Sequence, residues 1–310
     1  MRSVAVFNAF NVEFARAVGA FDSVVGIDEG AAGANYKGYW GDFDTSRTVG
    51  KGQADPNYER LVAANPEVVV FPRNGAWEEA VRKLEPFGIK VLVITGWDLS
   101  RHVYNVSLYG VLFDRRAEAE KVNAFYTRYF DLLKTRLAGA PRKRVFLENE
   151  TTFTAPVPGS GWHDMIETGG GTNIFGDIVF GSLANPKGSV HALSVDPEAI
   201  LARNPELVIK LGGGGFDPAS SGNLRTKASD VLARPGWAGL DAVKAGNVVV
   251  SSSFPMNACS KIIGALYVAK WLHPDRMADI DPDAALREWV QTFQRATLPD
   301  VASYRLVNQG

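Results

Sequence analysis

Two hydrophobic rhythms alternate along the chain. Short aliphatic runs, SVAVF (3–7), SVVGI (23–27), EVVVF (67–71) and KVLVI (90–94), are separated by stretches with helical spacing. Between the last two runs, Trp77, Val81 and Leu84 share one helical face, and Gly88 ends the helix. Short apolar runs bounded by turn residues predict strands covered on both faces, as in a parallel sheet. The second half repeats the scheme. KRVFLEN (143–149), ELVIKL (206–211) and NVVVSS (247–252) predict strands, and WHDMIETGG (162–170) predicts a helix ending at glycine.

A different pattern separates the halves. Residues 116–137 contain neither Gly nor Pro, and Ala119, Val122, Phe125, Tyr126, Tyr129, Leu132, Leu133 and Leu137 recur at helical spacing. This predicts one helix of roughly 33 Å, ended by AGAP (138–141). The pattern as a whole predicts an α/β protein with two Rossmann-like lobes, each on a central parallel sheet, joined by one long α-helix. Residues 1–98 would form the first lobe, 99–140 a helical connector carrying the long helix, and 141–310 the second lobe.

The two halves share a phrase. NYERLVAANPEVVV (57–70) aligns without a gap on DPEAILARNPELVI (196–209). Each reads as a helix feeding a strand. Leu61, Val62, Ile200 and Leu201 supply buried faces. Asn65-Pro66 and Asn204-Pro205 stop the helix, because the residue before proline avoids the α region. That grammar leaves one match unexplained, Glu59 over Glu198. An acid early in a helix is favoured by the helix dipole by roughly 0.3–1 kcal/mol, which is one account of the pair.

With 310 residues, 46% of them hydrophobic, the chain has the length and composition of two globular domains. A net charge of −1 gives no electrostatic reason to bind nucleic acid or anionic lipid. No stretch approaches the roughly 20 apolar residues that span a bilayer. Residues 1–20 lack a basic segment followed by an apolar core, so no signal peptide is visible there. Cys259 is the only cysteine, which rules out an internal disulfide and a Cys-based zinc site.

The order and spacing of several pieces resembles a known family. These are VVGID (24–28), TVG (48–50), PNYERLVAANPEVVVF (56–71), LEPFGIKVLVI (84–94), the long helix, KRVFLEN, GGGTNIFGD (169–177), VDPEAILARNPELVI (195–209) and AVKAGNVVV (242–250). Together they resemble the substrate-binding proteins of ABC importers for iron–siderophore complexes, haem or cobalamin, over nearly the whole chain. The resemblance implies two α/β lobes joined by a long helix, with a ligand cleft between the lobes. It implies an extracytoplasmic protein, periplasmic or lipid-anchored, that works as a monomer and docks on a dimeric permease. The family's exposed glutamates carry over to Glu59 and Glu198, whose carboxylates would meet permease arginines through charge-assisted bonds. It also implies transport, not catalysis, and no cofactor apart from the ligand. The sequence carries no nucleophile elbow, dinucleotide fingerprint or His-x-x-x-His pair.

In such a fold the ligand meets the loops after the strands. The loop at 28–44 carries Tyr36, Tyr39 and Trp40, as stacking surface or as cover for the lobe's own core. Arg73 is a cation for siderophore oxygens, a propionate or a phosphate. Trp97 follows the next strand, with His102 and Tyr104 beyond it. The second lobe offers Glu148, Phe153, Trp162, His163, His191, Phe216 after a run of glycines, and Phe254. Aromatics suit cobalamin and siderophores alike. Pro72 stands where cobalamin binders of the family carry tryptophan. Haem would take an axial ligand from Tyr36, Tyr39, His163 or His191. Direct metal ligation would need converging histidines, and these are scattered in sequence. The first expectation is a ferric siderophore held by aromatics and Arg73. Haem, a corrinoid and a bare metal ion are the alternatives, and a metal-dependent enzyme using Glu148, Glu150, His163 and Asp164 is the remaining one.

Overall fold

Each short apolar run identified above is a strand in the computed structural model, which describes residues 1–308 apart from Asp42 and Thr45. The chain divides into two units, Met1–Thr127 with Glu288–Thr297, and Arg128–Arg287 with Leu298–Gly310.

The first unit begins β1 (Val4–Val6), α1 (Ala9–Ala17), β2 (Val24–Ile27), α2 (Glu29–Ala32), β3 (Gly50–Gly52) and β4 (Asp55–Pro56). It continues α3 (Tyr58–Ala64), β5 (Val68–Phe71), α4 (Trp77–Leu84), β6 (Lys90–Val93) and α5 (His102–Leu112). Helix α6 (Arg116–Arg136) carries the chain on into the second unit. The main sheet has the order β2-β1-β5-β6 and is parallel throughout. Its central strands are apolar on both faces because both are covered. Ala5, Phe7, Val69 and Phe71 pack with Leu61 of α3 and with Ala80 and Leu84 of α4 on one side. The Phe7 and Phe71 rings stack with centroids 4.3 Å apart.

The second unit contains β7 (Lys143–Glu148), β8 (Thr154–Ala155), α7 (Gly161–Thr168), β9 (Gly171–Asn173), β10 (Gly188–Ser189), β11 (Ala192–Ser194) and α8 (Pro197–Arg203). Then come β12 (Leu207–Leu211), α9 (Leu224–Leu232), α10 (Asp241–Lys244), β13 (Val248–Ser251) and α11 (Ser253–Asn257). It closes with α12 (Ile262–Leu272), α13 (Pro282–Glu288) and β14 (Arg305–Asn308). Its sheet order is β14-β13-β12-β7-β9, parallel except for β14. Phe146, Val208, Val248, Ile200 and Trp237 belong to one buried cluster. On α7, α12 approaches so closely that a Cβ on Gly169 would sit 2.7 Å from Val268 Cβ, and one on Gly264 2.4 Å from Met165 Sδ.

The division differs from the sequence reading, since the first unit runs on to Thr127, inside α6, and residues 99–140 do not stand apart as a connector. Residues 288–297 were expected in the second lobe, but they return to the first unit. Buried Trp289 packs near Phe125, with ring centroids 5.8 Å apart. Gln294 Nε2 donates to the Glu13 carbonyl at 3.1 Å, and its own carbonyl accepts from Arg16 Nε at 2.7 Å. The apolar pattern of this segment gives its burial and not its address.

The repeated phrase is repeated in three dimensions. Asn57 and Asp196 are the N-caps of α3 and α8, and both helices have seven residues. Leu61 and Ile200 are fully buried. The Asn-Pro stops work differently from the reading above. Asn65 and Asn204 adopt left-handed conformations, φ 45° and 42°, and their N–H groups return to the last turn. Asparagine tolerates this cap better than most residues.

Candidate ligand and docking residues

Parallel strands put the ends of β1, β2, β5 and β6 at one edge of the first unit. Arg73 follows β5. Its main-chain N–H donates to Thr95 Oγ1 at 3.1 Å, its guanidinium pairs with Asp98, and it lies 5.6 Å from the Trp97 ring. The Arg73 side chain is 43% exposed, whereas Trp97 is buried. Asp98 was not singled out in the sequence, although it directly follows Trp97.

The aromatics of the 28–44 loop mostly turn inward. Tyr39 is fully buried and its hydroxyl donates to Glu13 Oε1, so burial and the nearby carboxylate push its pKa well up. Trp40 Nε1 donates to the Ala31 carbonyl at 2.7 Å, and the Trp40 carbonyl accepts from Arg16. These two residues cover the unit's own core, which corrects their assignment as ligand platforms. Tyr36 is half-buried and stacks on Trp40 with centroids 5.3 Å apart. His102 is fully buried against Tyr126, centroids 4.0 Å apart, and burial lowers its pKa to about 3. Tyr104 is exposed.

In the second unit Glu148 ends β7 but does not open to solvent. It is fully buried, and its oxygens accept from Arg234 Nη1 and Nη2 at 2.9 and 2.8 Å and from the Phe153 N–H at 2.7 Å. Lys210 Nζ lies 3.0 Å from the same carboxylate. Glu148 therefore organises two cations and a loop, which corrects its reading as a direct ligand contact. Phe153 is half-buried beneath the Arg234 guanidinium, 4.7 Å away. Neither Lys210 nor Arg234 was singled out, because a lysine inside an apolar strand and an arginine far downstream give no local signal.

Trp162, Phe216 and Phe254 are buried. Lys261 Nζ lies 4.3 Å from the Trp162 ring, and Phe216 meets Phe254 edge-on at 5.3 Å. His163 is half-buried, with Nδ1 3.2 Å from Asn173 Nδ2. It borders a cavity of about 690 Å³ with Arg144, Glu167 and Arg203. His191 Nδ1 lies 2.9 Å from Ser160 Oγ. That serine is fully buried and caps α7 by accepting from Trp162 N–H. A buried hydroxyl engaged as a helix cap is a poor nucleophile. Among the described residues, no three His, Cys, Asp or Glu side chains converge as a metal set.

Glu59 and Glu198 occupy the same position in α3 and α8, each in the first turn and exposed. Among the described residues neither carboxylate has a hydrogen bond or an ion pair.

Each unit is built on a largely parallel sheet covered by helices, and helix α6 carries the chain from the first into the second. The chain belongs to the periplasmic binding protein family, whose model matches residues 4–253. That family is extracytoplasmic and serves ABC importers, and no helix among the described residues is long and apolar enough to cross a membrane. A vitamin B12-binding protein from Salmonella paratyphi A is 31% identical over 161 residues, covering 51% of this chain and 56% of that protein. The chain thus spans about half the length of the curated relatives it matches. Among solved structures, the TroA-like periplasmic binding protein FepB from Veillonella parvula aligns with a TM-score of 0.76 at 18% identity, covering 100% of this chain and 95% of that one. The molybdate-binding protein MolA from Haemophilus influenzae aligns with a TM-score of 0.75 at 18% identity, covering 97% and 95%. These likenesses establish the shared fold, in agreement with the α/β architecture read from the sequence.

Proposed function

We propose that this protein captures a metal chelate outside the cytoplasm and delivers it to a dimeric ABC permease. The observation that carries the delivery half is the pair Glu59 and Glu198, exposed and unpaired at equivalent positions of two similar units. Two carboxylates, one on each unit, suit two arginines on a two-fold partner, at about 1.5–3 kcal/mol per charge-assisted bond. Replacing both glutamates with alanine should leave ligand affinity unchanged and abolish uptake through the reconstituted permease. Equal uptake by the double variant would refute this role.

The ligand we favour is a ferric siderophore. Arg73 supplies a partly exposed cation for anionic oxygens, and Tyr36 and Phe153 supply half-buried aromatic surface. A corrinoid is the second reading, favoured by the sequence similarity to a vitamin B12-binding protein. Absorbance or calorimetric titration with ferric siderophores, haem and corrinoids separates the two. Saturable binding to a corrinoid alone would replace the first reading with the second. Saturable binding to none, together with turnover of a substrate, would refute both.

A further inference from the structure

We propose that the loop after β5 presents an edge of hydrogen-bond donors to the ligand, and that a chain of three amides anchored on a helix cap fixes its polarity. This rests on the chelate-binding reading above, and it assigns Asn74 as a ligand contact and Gln53 and Asn8 as positioning residues.

The chain of amides starts at Asn8, which lies two residues beyond β1, has φ 78° and caps α1. Its Oδ1 accepts the Phe10 N–H at 3.1 Å. Its main chain is held as well. The N–H donates to Asp28 Oδ2 at 2.6 Å, and the carbonyl accepts from Asn11 and Val12 at 3.0 and 3.3 Å. Asn8 cannot turn its amide over without losing the cap. Its Nδ2 must therefore be the outer atom, and it donates to Gln53 Oε1 at 2.8 Å.

Gln53 lies in the turn between β3 and β4. With Oε1 used as an acceptor, its Nε2 donates to Asn74 Oδ1 at 2.8 Å. The Gln53 carbonyl also accepts from Ala76 N–H at 2.8 Å, which ties the loop to this turn. The approach is close, since a Cβ on Gly75 would lie 3.0 Å from that carbonyl.

An amide's two ends are told apart by their partners, and each link here fixes the next. Asn74 is exposed with its oxygen committed to Gln53, so its NH2 group ends the chain. Its neighbour Arg73 has no acceptor at all. These two adjacent side chains therefore carry donors, with Arg73 also paired to the Asp98 carboxylate. This edge fits catecholate, hydroxamate or carboxylate oxygens and disfavours ammonium or amide N–H groups.

The test uses the intact protein and two probes, an anionic ferric tris-catecholate and a neutral ferric trihydroxamate. Asn74→Asp puts acceptors where donors were, and should raise the Kd of the anionic probe about tenfold, with a smaller change for the neutral one. Gln53→Glu keeps the bond from Asn8 and removes the donor to Asn74. Asn74 would then turn over to donate to the new carboxylate and expose its oxygen, weakening the anionic probe about five- to tenfold. In an Asn74→Ala background the Gln53→Glu effect should largely disappear, because the polarity it reverses is gone. Both variants are near-isosteric and partly exposed, and their melting curves should overlay the wild-type curve. Wild-type binding with variant affinities unchanged overturns this inference alone. So does a full Gln53→Glu effect in the Asn74→Ala background, which would be charge and not polarity. Wild-type protein that binds neither probe overturns both the chelate reading and this inference.

Discussion

Glu148→Gln is the substitution that separates a structural carboxylate from a ligand contact. Glu148 is fully buried, Lys210 and Arg234 have side chains only 7% and 11% exposed, and both cations converge on the one carboxylate. The amide variant keeps the shape but leaves two buried positive charges without an anion. Breaking a buried pair from one side costs about 3–5 kcal/mol. The slight exposure of the cations argues for the lower part of that range. For a unit of this size the melting temperature should fall by roughly 6–12 °C. The deficit should also depend on pH. Burial already lowers the Lys210 pKa from 10.5, and Glu148 opposes that shift. Between the lowered folded pKa and the ordinary unfolded value, the unfolded chain keeps a proton that the folded protein has released, so stability rises with pH. Without the carboxylate that window opens at lower pH. The deficit should therefore be largest near neutrality and shrink toward about pH 10. Thermal melts followed by circular dichroism at several pH values measure both effects. A variant melting within about 2 °C of wild type, or a deficit that grows with pH, would refute the reasoning.

Two further outcomes follow from the same kind of accounting. His102 stays neutral when folded because burial lowers its pKa from 6.5 to about 3, so the unfolded chain takes up its proton first. Stability should be lost as pH falls from about 6.5 toward 3, on the order of 4 kcal/mol, and urea melts of His102→Phe should lack this dependence. Both variants of Asn204 lose the Oδ1 acceptor for the Asp241 N–H, and Asn204→Ala, which also holds a Cβ at φ 42°, should cost roughly 1–2 kcal/mol more than Asn204→Gly. Equal melting of those two variants would mean that the left-handed cap is unimportant.

Strands and the long helix were legible because their signals are local. β1 and β5 are continuous apolar runs between turn residues, and α6 shows an unbroken 3.6-residue rhythm. The loops were not legible for a physical reason. An aromatic beside glycines reads the same whether it faces a ligand or roofs its own core. Tyr39 became a core residue because Glu13, on α1, could accept its hydroxyl proton, and nothing local to Tyr39 reveals that. Glu148 at a strand end looked available until Arg234, 86 residues later, closed over it. Lys210 reads as an interruption of an apolar strand, and only the carboxylate on the neighbouring strand explains it. The return of residues 288–297 to the first unit belongs to the same class. Its polar anchors, Glu13 and Arg16, lie near the other end of the sequence.

The duplicated phrase contains its own control, because each copy carries two glutamates. Glu67 and Glu206 have local duties. Glu67 Oε1 accepts the Arg2 N–H at 3.3 Å, and Glu206 Oε2 accepts the Arg144 N–H at 3.0 Å. Their equivalence follows from two similar sheets that each need the preceding strand tied down. Glu59 and Glu198 have no such duty among the described residues. The helix dipole rewards an acid anywhere in the first turn, so Tyr58 or Arg60 in α3, and Pro197 or Ala199 in α8, would be alternative places for it. It has no means of holding both acids to one register. Something that meets both units at once would account for equal register. The proposed two-fold permease would be such a partner, and it would use the pair for more than the small dipole stabilisation that each glutamate gives its own helix.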